Sequence, residues 1–169
     1  AEASFKAHGA TIALGEKVVE FKEEYGAVTK VVTDKGTYDA DMVILSVGFR
    51  PNTEIFRGQL DTLPNGAIKV DAYMRTSNPD VMAAGDCCAF PGPDGTLLRL
   101  ESWQNADRQG ARAARNMLGA GETGHEPPWF WSDQYGANLQ IYGVPAPAHR
   151  VVRRGDPESG SFVLFYLEG

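Results

Sequence analysis

Long apolar runs are missing from this chain. No stretch approaches the roughly 18 to 20 consecutive apolar residues that a membrane-crossing helix needs, and no charged start leads into an apolar run and a cleavage site. Neither a helical span nor a secretory signal is therefore read here, and a soluble, cytoplasmic chain is the default expectation. Cysteine is scarce: the only two, Cys87 and Cys88, are neighbours. Adjacent cysteines cannot staple distant parts of a fold, and no Cys and His set has zinc-ligand spacing. His8, His125 and His149 have no partner at catalytic or metal spacing and are read as solvated. Clustered positive charge is nearly absent too. The one small basic cluster, "HRVVRR" at 149–154, stands against a formal net charge of −6 and a pI near 5.0. That balance argues against a non-specific binder of nucleic acid, which needs clustered Lys and Arg on phosphates.

What is present is ordinary globular composition. With 43% hydrophobic and 22% charged residues over 169 positions, the chain should fold and bury a core instead of staying disordered. From Ala10 to Val47 it reads as short strands, "ATIAL", "KVVEFK", "AVTKVVTD" and "MVILSV", separated by turn signals at Gly15, "EEYG" and "DKG". The run "DMVILSVG" lacks alternation, as in a strand covered on both faces of a parallel or mixed sheet. Residues 51–66 read as a loop, and "AIKV" and "DVMAA" as two more strands. After the loop "FPGPDGT" comes a helix in "SWQNADRQGARAARNMLG". Ser102 can cap its first turn, Ala106, Gly110, Ala113 and Met117 form its small-residue face, and the helix should end near Gly119. A linker, "AGETGHEPP", precedes strand-like segments that include a turn at "DPESG".

The stretch "VMAAGDCCAF", residues 81–90, poses the functional question. A carboxylate follows Gly85 at the end of an apolar run. By itself Asp86 could be a turn residue beside two small buried thiols, or a ligand at a strand terminus, where α/β sheets commonly bind their ligands.

Its context favours the ligand. The order of glycine turn, strand, Asp71, "RTSNPDV" and "AAGD" in "GAIKVDAYMRTSNPDVMAAGDC" resembles the flavin-binding segment of the FAD-dependent pyridine nucleotide oxidoreductases. The resemblance implies that Asp86 accepts hydrogen bonds from the ribityl chain of FAD. "ADMVILSVGFRPNT" is similar to the strand that closes the NAD(P)H domain and the crossover back to the FAD domain, which places Gly48 and Pro51 near cofactor. "LESWQNADRQGARAARNMLG" resembles the helix whose positive N-terminus approaches the flavin and steadies its reduced, anionic form. "PWFWSDQY" with "LQIYG" resembles the ferredoxin reductase branch. The cofactor-binding set so implied is Gly48, Pro51, Gly85, Asp86, Cys87, Glu101, Ser102, Trp103 and Trp131. Plain alternatives stand beside it: the tryptophans as core or interface aromatics, and Glu101 as a surface acid. Gln104, Asn105 and Gln109 are read as helix packing or surface. The two cysteines lack the spacing of the disulfide reductases and are read as reduced and inert.

The resemblance also predicts an α/β fold class, a partial FAD/NAD(P)-binding Rossmann-like fold with a mainly antiparallel C-terminal portion. Residues 1–50 would end an NAD(P)H-binding domain, residues 51–120 form the C-terminal half of an FAD-binding domain, and residues 121–169 start a C-terminal reductase domain. The family needs a G-x-G-x-x-G turn to meet the FAD pyrophosphate and a second one for NAD(P)H, and neither is read in this chain. The chain is therefore expected to be the C-terminal portion of a longer reductase, contributing half a flavin site. The function implied is hydride transfer from NAD(P)H to FAD and single-electron transfer to a ferredoxin-like iron–sulfur protein; the basic patch around Arg150, Arg153 and Arg154 is read first as a solvated charged face, with attraction of an acidic partner as the alternative. A homodimer is among the assemblies allowed. The rival readings are an NADH oxidase or disulfide reductase relative, and a non-catalytic interaction module.

Overall fold

The computed structural model describes residues 2–124, 127–145 and 150–168, so His125 and His149 lie outside the described residues. The chain divides into two compact units after Phe49. In the first, helix α1 (Glu2–Ala7), which the sequence reading did not foresee, is a short turn of chain closed by a Glu2–Lys6 pair at 2.7 Å. The acid sits at the helix's positive end and the lysine one turn later, the favourable order on both counts. Three strands follow, β1 (Val18–Glu24), β2 (Ala27–Thr33) and β3 (Thr37–Asp39), paired antiparallel in the order β1-β2-β3. Tyr25 and Gly26 both take positive φ, 54° and 79°, which gives the two-residue connection the twist a tight hairpin requires.

Two expected strands do not form. Neither "ATIAL" nor "MVILSV" joins a ladder, and Met42, Ile44, Leu45 and Val47 are 65–88% exposed. An apolar run becomes a central strand only when neighbours on both sides accept its backbone hydrogen bonds. Among the described residues nothing does so here.

The second unit carries all the buried side chains. Strand β4 (Ile68–Lys69) lies parallel to β5 (Cys88–Pro91), and β6 (Leu97–Leu98) returns antiparallel on β5. Helix α2 (Trp103–Met117) covers this small sheet, and Leu60, Ile68, Val70, Met74, Ala83, Cys88 and Ala113 form the core between them. The expected strand over "DVMAA" is instead a single bridge, Met82 to Arg75, with the Thr76 N–H donating to the Val81 carbonyl at 3.0 Å. The "FPGPDGT" loop is as read, but its flanks pair as β5 and β6.

Helix α2 begins where the sequence places it, with the Ser102 hydroxyl accepting from the Asn105 N–H at 3.4 Å. Its buried face differs from the expected one. Gly110 and Met117 are exposed, whereas Gln109, Ala113 and Asn116 are buried. Two polar side chains can turn inward because each meets backbone partners there: Asn116 donates to the Tyr73 and Glu122 carbonyls at 2.9 and 2.8 Å and accepts from the Glu122 N–H at 2.6 Å.

Two hairpins end the chain. Strands β7 (Trp129–Gln134) and β8 (Ala137–Tyr142) turn at Tyr135 and Gly136, again both at positive φ. Strands β9 (Arg150–Asp156) and β10 (Ser161–Leu167) turn at "DPESG", where Asp156 accepts from the Glu158 N–H at 3.0 Å and Gly160 takes φ 76°. Alternation along β9 sends Arg150 and Arg154 to one face and Arg153 to the other, so the three arginines do not form a single basic patch. The expected α/β class is observed, with one parallel strand pair and antiparallel sheets in the C-terminal part. Among the described residues no helix is long and apolar enough to cross a membrane.

Candidate functional site

The Gly85–Cys87 segment is a single 3-10 turn leading directly into β5. Asp86 is thus held by a turn, not by the end of a longer strand as the sequence suggested. Gly85 is required at its head. It takes φ 79°, and a Cβ there would stand 3.2 Å from the Cβ of Ala106 on α2. The turn is tied from two directions: Gln109 Oε1 on α2 accepts the Gly85 N–H at 2.8 Å, and Arg99 Nε donates to the Asp86 carbonyl at 2.8 Å. Arg99 also forms an ion pair with Glu101, so one guanidinium joins the backbone of Asp86 to the acid that precedes α2.

The Asp86 side chain is treated differently from its backbone. Its Oδ1 is buried, with no hydrogen-bond partner among the described residues. An acceptor removed from water without a donor is costly, so this oxygen calls for a donor from outside the described residues.

Around the head of α2 the structure assembles most of the predicted set. Glu101 precedes the helix, Ser102 caps it, and Trp103 opens its first turn, 73% exposed. The Trp103 ring meets Trp131 of β7 edge to face, with centroids 6.4 Å apart and an interplanar angle of 82°. Trp129 lies 5.0 Å from Trp131. No acid occupies the first turn of α2, so its positive end is not neutralised from within the helix. Pro51 stands apart from this group, against Gly66 and Thr53. Gly48 belongs to the first unit, at φ 86° with open space where a Cβ would stand.

The cysteines behave as buried hydrophobes. Cys88 is fully buried and donates to the Gly85 carbonyl and to Gln109 Oε1, both at 3.3 Å. Burial above all, then the neighbouring Cys87 and Asp86, pushes its thiol up to about 12. The Cys87 thiol donates to the Ala84 carbonyl at 3.3 Å. Both are free thiols, and Cys88 is too weak an acid to act as a nucleophile near neutral pH.

Contrary to the expectation that no G-x-G-x-x-G spacing is present, residues 119–124, "GAGETG", have it. Their setting is the reverse of one. They follow helix α2, and Glu122 is pinned by Asn116 and by Arg115, whose Nε lies 2.8 Å from both carboxylate oxygens. A phosphate cradle needs a helix opening from the turn and no fixed anion inside it. Two participants escaped the sequence reading. Gln109 was placed with packing or surface, although its position three residues after Ala106 puts it on the face that meets Gly85. Arg99, two residues before Glu101, offered only its charge and its alternation.

Comparison with known proteins gives the family. Residues 1–110 match the model of the pyridine nucleotide-disulphide oxidoreductase family, and residues 129–169 match the reductase C-terminal family. A ferredoxin–NAD(+) reductase component of an anthranilate 1,2-dioxygenase system from Burkholderia cepacia is 43% identical over 140 residues, 82% of this chain and 34% of that protein. An NADH oxidase from Enterococcus faecalis is 49% identical over 111 residues, 64% of this chain and 25% of that protein. The solved ferredoxin reductase for the CYP199A2 system of Rhodopseudomonas palustris superposes with a TM-score of 0.89 at 36% identity, over 99% of this chain and 42% of that one. The chain thus spans between a quarter and about two fifths of the length of these relatives. It belongs to the pyridine nucleotide-disulphide oxidoreductase family.

Proposed function

We propose that this chain forms the flavin-facing portion of an FAD-dependent NAD(P)H:ferredoxin-type oxidoreductase. The observation that carries the reading is the buried Asp86 Oδ1, an acceptor with no protein donor, at a turn tied to helix α2 through Gln109 and next in line to the capped head of that helix through Arg99 and Glu101. A polyol supplies hydroxyl donors for such an oxygen, so FAD fits the residues present. Asp86 would hold the ribityl chain. Gly85 and Cys87 shape the turn, while Glu101, Ser102 and Trp103 would border the ring system, with Trp131 backing Trp103. Gly48 and Pro51 would lie along the NAD(P)H side. Bound flavin would convert a two-electron hydride donor into single-electron steps.

Residues 1–50 then end the NAD(P)H-binding domain, residues 51–120 form the C-terminal half of the FAD-binding domain, and residues 121–169 begin the C-terminal reductase domain. The match at residues 129–169 and the contact of Trp131 with Trp103 support a ferredoxin-like iron–sulfur protein as electron acceptor over the oxidase alternative, because they bind a C-terminal reductase hairpin to the helix head. A cytoplasmic enzyme, with a homodimer as its assembly, completes the reading.

The test is Asp86→Ala in the full-length reductase, with FAD affinity measured by fluorescence titration of the apoprotein. Loss of a charge-assisted hydrogen bond predicts roughly ten- to hundredfold weaker binding. Unchanged affinity would remove the basis of the proposal.

A further inference from the structure

Gln109 is 2% exposed, and its amide is asymmetric in use. Oε1 accepts from the Gly85 N–H at 2.8 Å and from the Cys88 thiol at 3.3 Å. These donors flank Asp86 and Cys87 in sequence, so one oxygen on helix α2 grips both ends of the turn that carries Asp86. The Gly85 N–H can only donate, so the amide oxygen must face it, and the single Cys88 S–H is shared between that oxygen and the Gly85 carbonyl. Nε2 is then buried with no hydrogen-bond partner among the described residues. A leucine or methionine would fill the same volume without stranding an N–H pair, so packing alone does not account for glutamine here. The acceptor does, since without it the Gly85 N–H would lose its partner in a buried place.

We propose that Gln109 is a positioning residue for the cofactor: by holding the Gly85 N–H and the Cys88 side chain against α2, it aims the Asp86 carboxylate at the hydroxyls of bound flavin. This rests on the flavin reading of Asp86 above. Gln109 itself touches no ligand in this scheme. It acts through the turn, together with the Arg99 contact to the Asp86 carbonyl.

The experiment is a double-mutant cycle in the full-length reductase, reading FAD dissociation constants, visible circular dichroism of the bound flavin and the apoprotein melting temperature. Gln109→Leu should weaken FAD about tenfold, the scale of one lost buried hydrogen bond, and should alter the flavin dichroism. In the Asp86→Ala background the same substitution should weaken binding no further, because its effect passes through that carboxylate. Gln109→Met serves in place of leucine if the latter does not fold. Equal weakening in both backgrounds would overturn the clamp, as would full affinity in Gln109→Leu while Asp86→Ala binds poorly. If Asp86→Ala also binds FAD normally, the flavin reading fails first and the clamp falls with it.

Discussion

The segment from Thr53 to Asn116 and the segments on either side of it are held together by opposite means. Every described residue that is buried lies between those two positions, and none lies in residues 2–49 or after residue 116. Yet the long ladders are all outside: β1, β2 and the four C-terminal strands run six or seven residues each, whereas β4, β5 and β6 have two to four. The flanks show regular hydrogen bonding without burial, and the middle shows burial with little regular hydrogen bonding. Burial dominates stability and sets the environment of buried groups. It is therefore unsurprising that the one unpaired carboxylate oxygen and the one strongly perturbed thiol both sit in the middle.

That contrast can be broken most sharply at the cysteines. A thiol at about 12 carries about a thousandfold less thiolate than an ordinary one at the same pH. Cys88 should therefore resist a disulfide-exchange reagent at mildly alkaline pH in the folded chain and react at once in denaturant, while the only partly buried Cys87 reacts faster than Cys88 in the folded chain. Two fast thiols in the folded state would mean that the middle segment is not packed.

Stability gives the next test. Met74 is 1% exposed in the core and Leu164 is 40% exposed on β10. Met74→Ala should cost about 2–5 kcal/mol by denaturant titration, and Leu164→Ala no more than about 0.5 kcal/mol. Comparable costs would show that the hairpins gain burial in solution.

The smallest effect belongs to the flank pair Lys30–Asp39, at 2.6 Å on the solvent-facing surface. Lys30 holds the Asp39 carboxyl below its usual value, chiefly through their hydrogen bond. A depressed carboxylate stabilises above its unfolded-state pKa, and that stability is lost as pH falls through the lower, folded value. Asp39→Asn should barely change the melting temperature at neutral pH, by an amount that salt reduces and acid abolishes. A large change that persists in acid would mean the contact is not electrostatic.

The same division explains what was legible in the sequence. Local chemistry was: the turns at "EEYG" and "DPESG", the Ser102 cap and the whole of α2 follow from residues near one another, and the Gly-Asp motif pointed to the candidate site. What depended on distant partners was not. "ATIAL", "MVILSV" and "DVMAA" have strand composition, but a strand exists only with a neighbour to pair with. The buried face of α2 was misjudged because Gln109 and Asn116, polar by type, meet backbone groups 24 and 43 residues away. Composition carries no trace of such partners.

Those separations also order events in time. The hairpins close across turns of two to four residues, which takes microseconds. The Gly85 to Gln109 and Tyr73 to Asn116 contacts must instead close chain loops of 24 and 43 residues, entropy that is recovered only when α2 settles on the sheet. The turn bearing Asp86 consequently acquires its shape late, with the docking of α2 and not with the formation of its own backbone. Slowing that docking step would delay the emergence of a competent cofactor pocket while the hairpins' circular dichroism had already reached its final value.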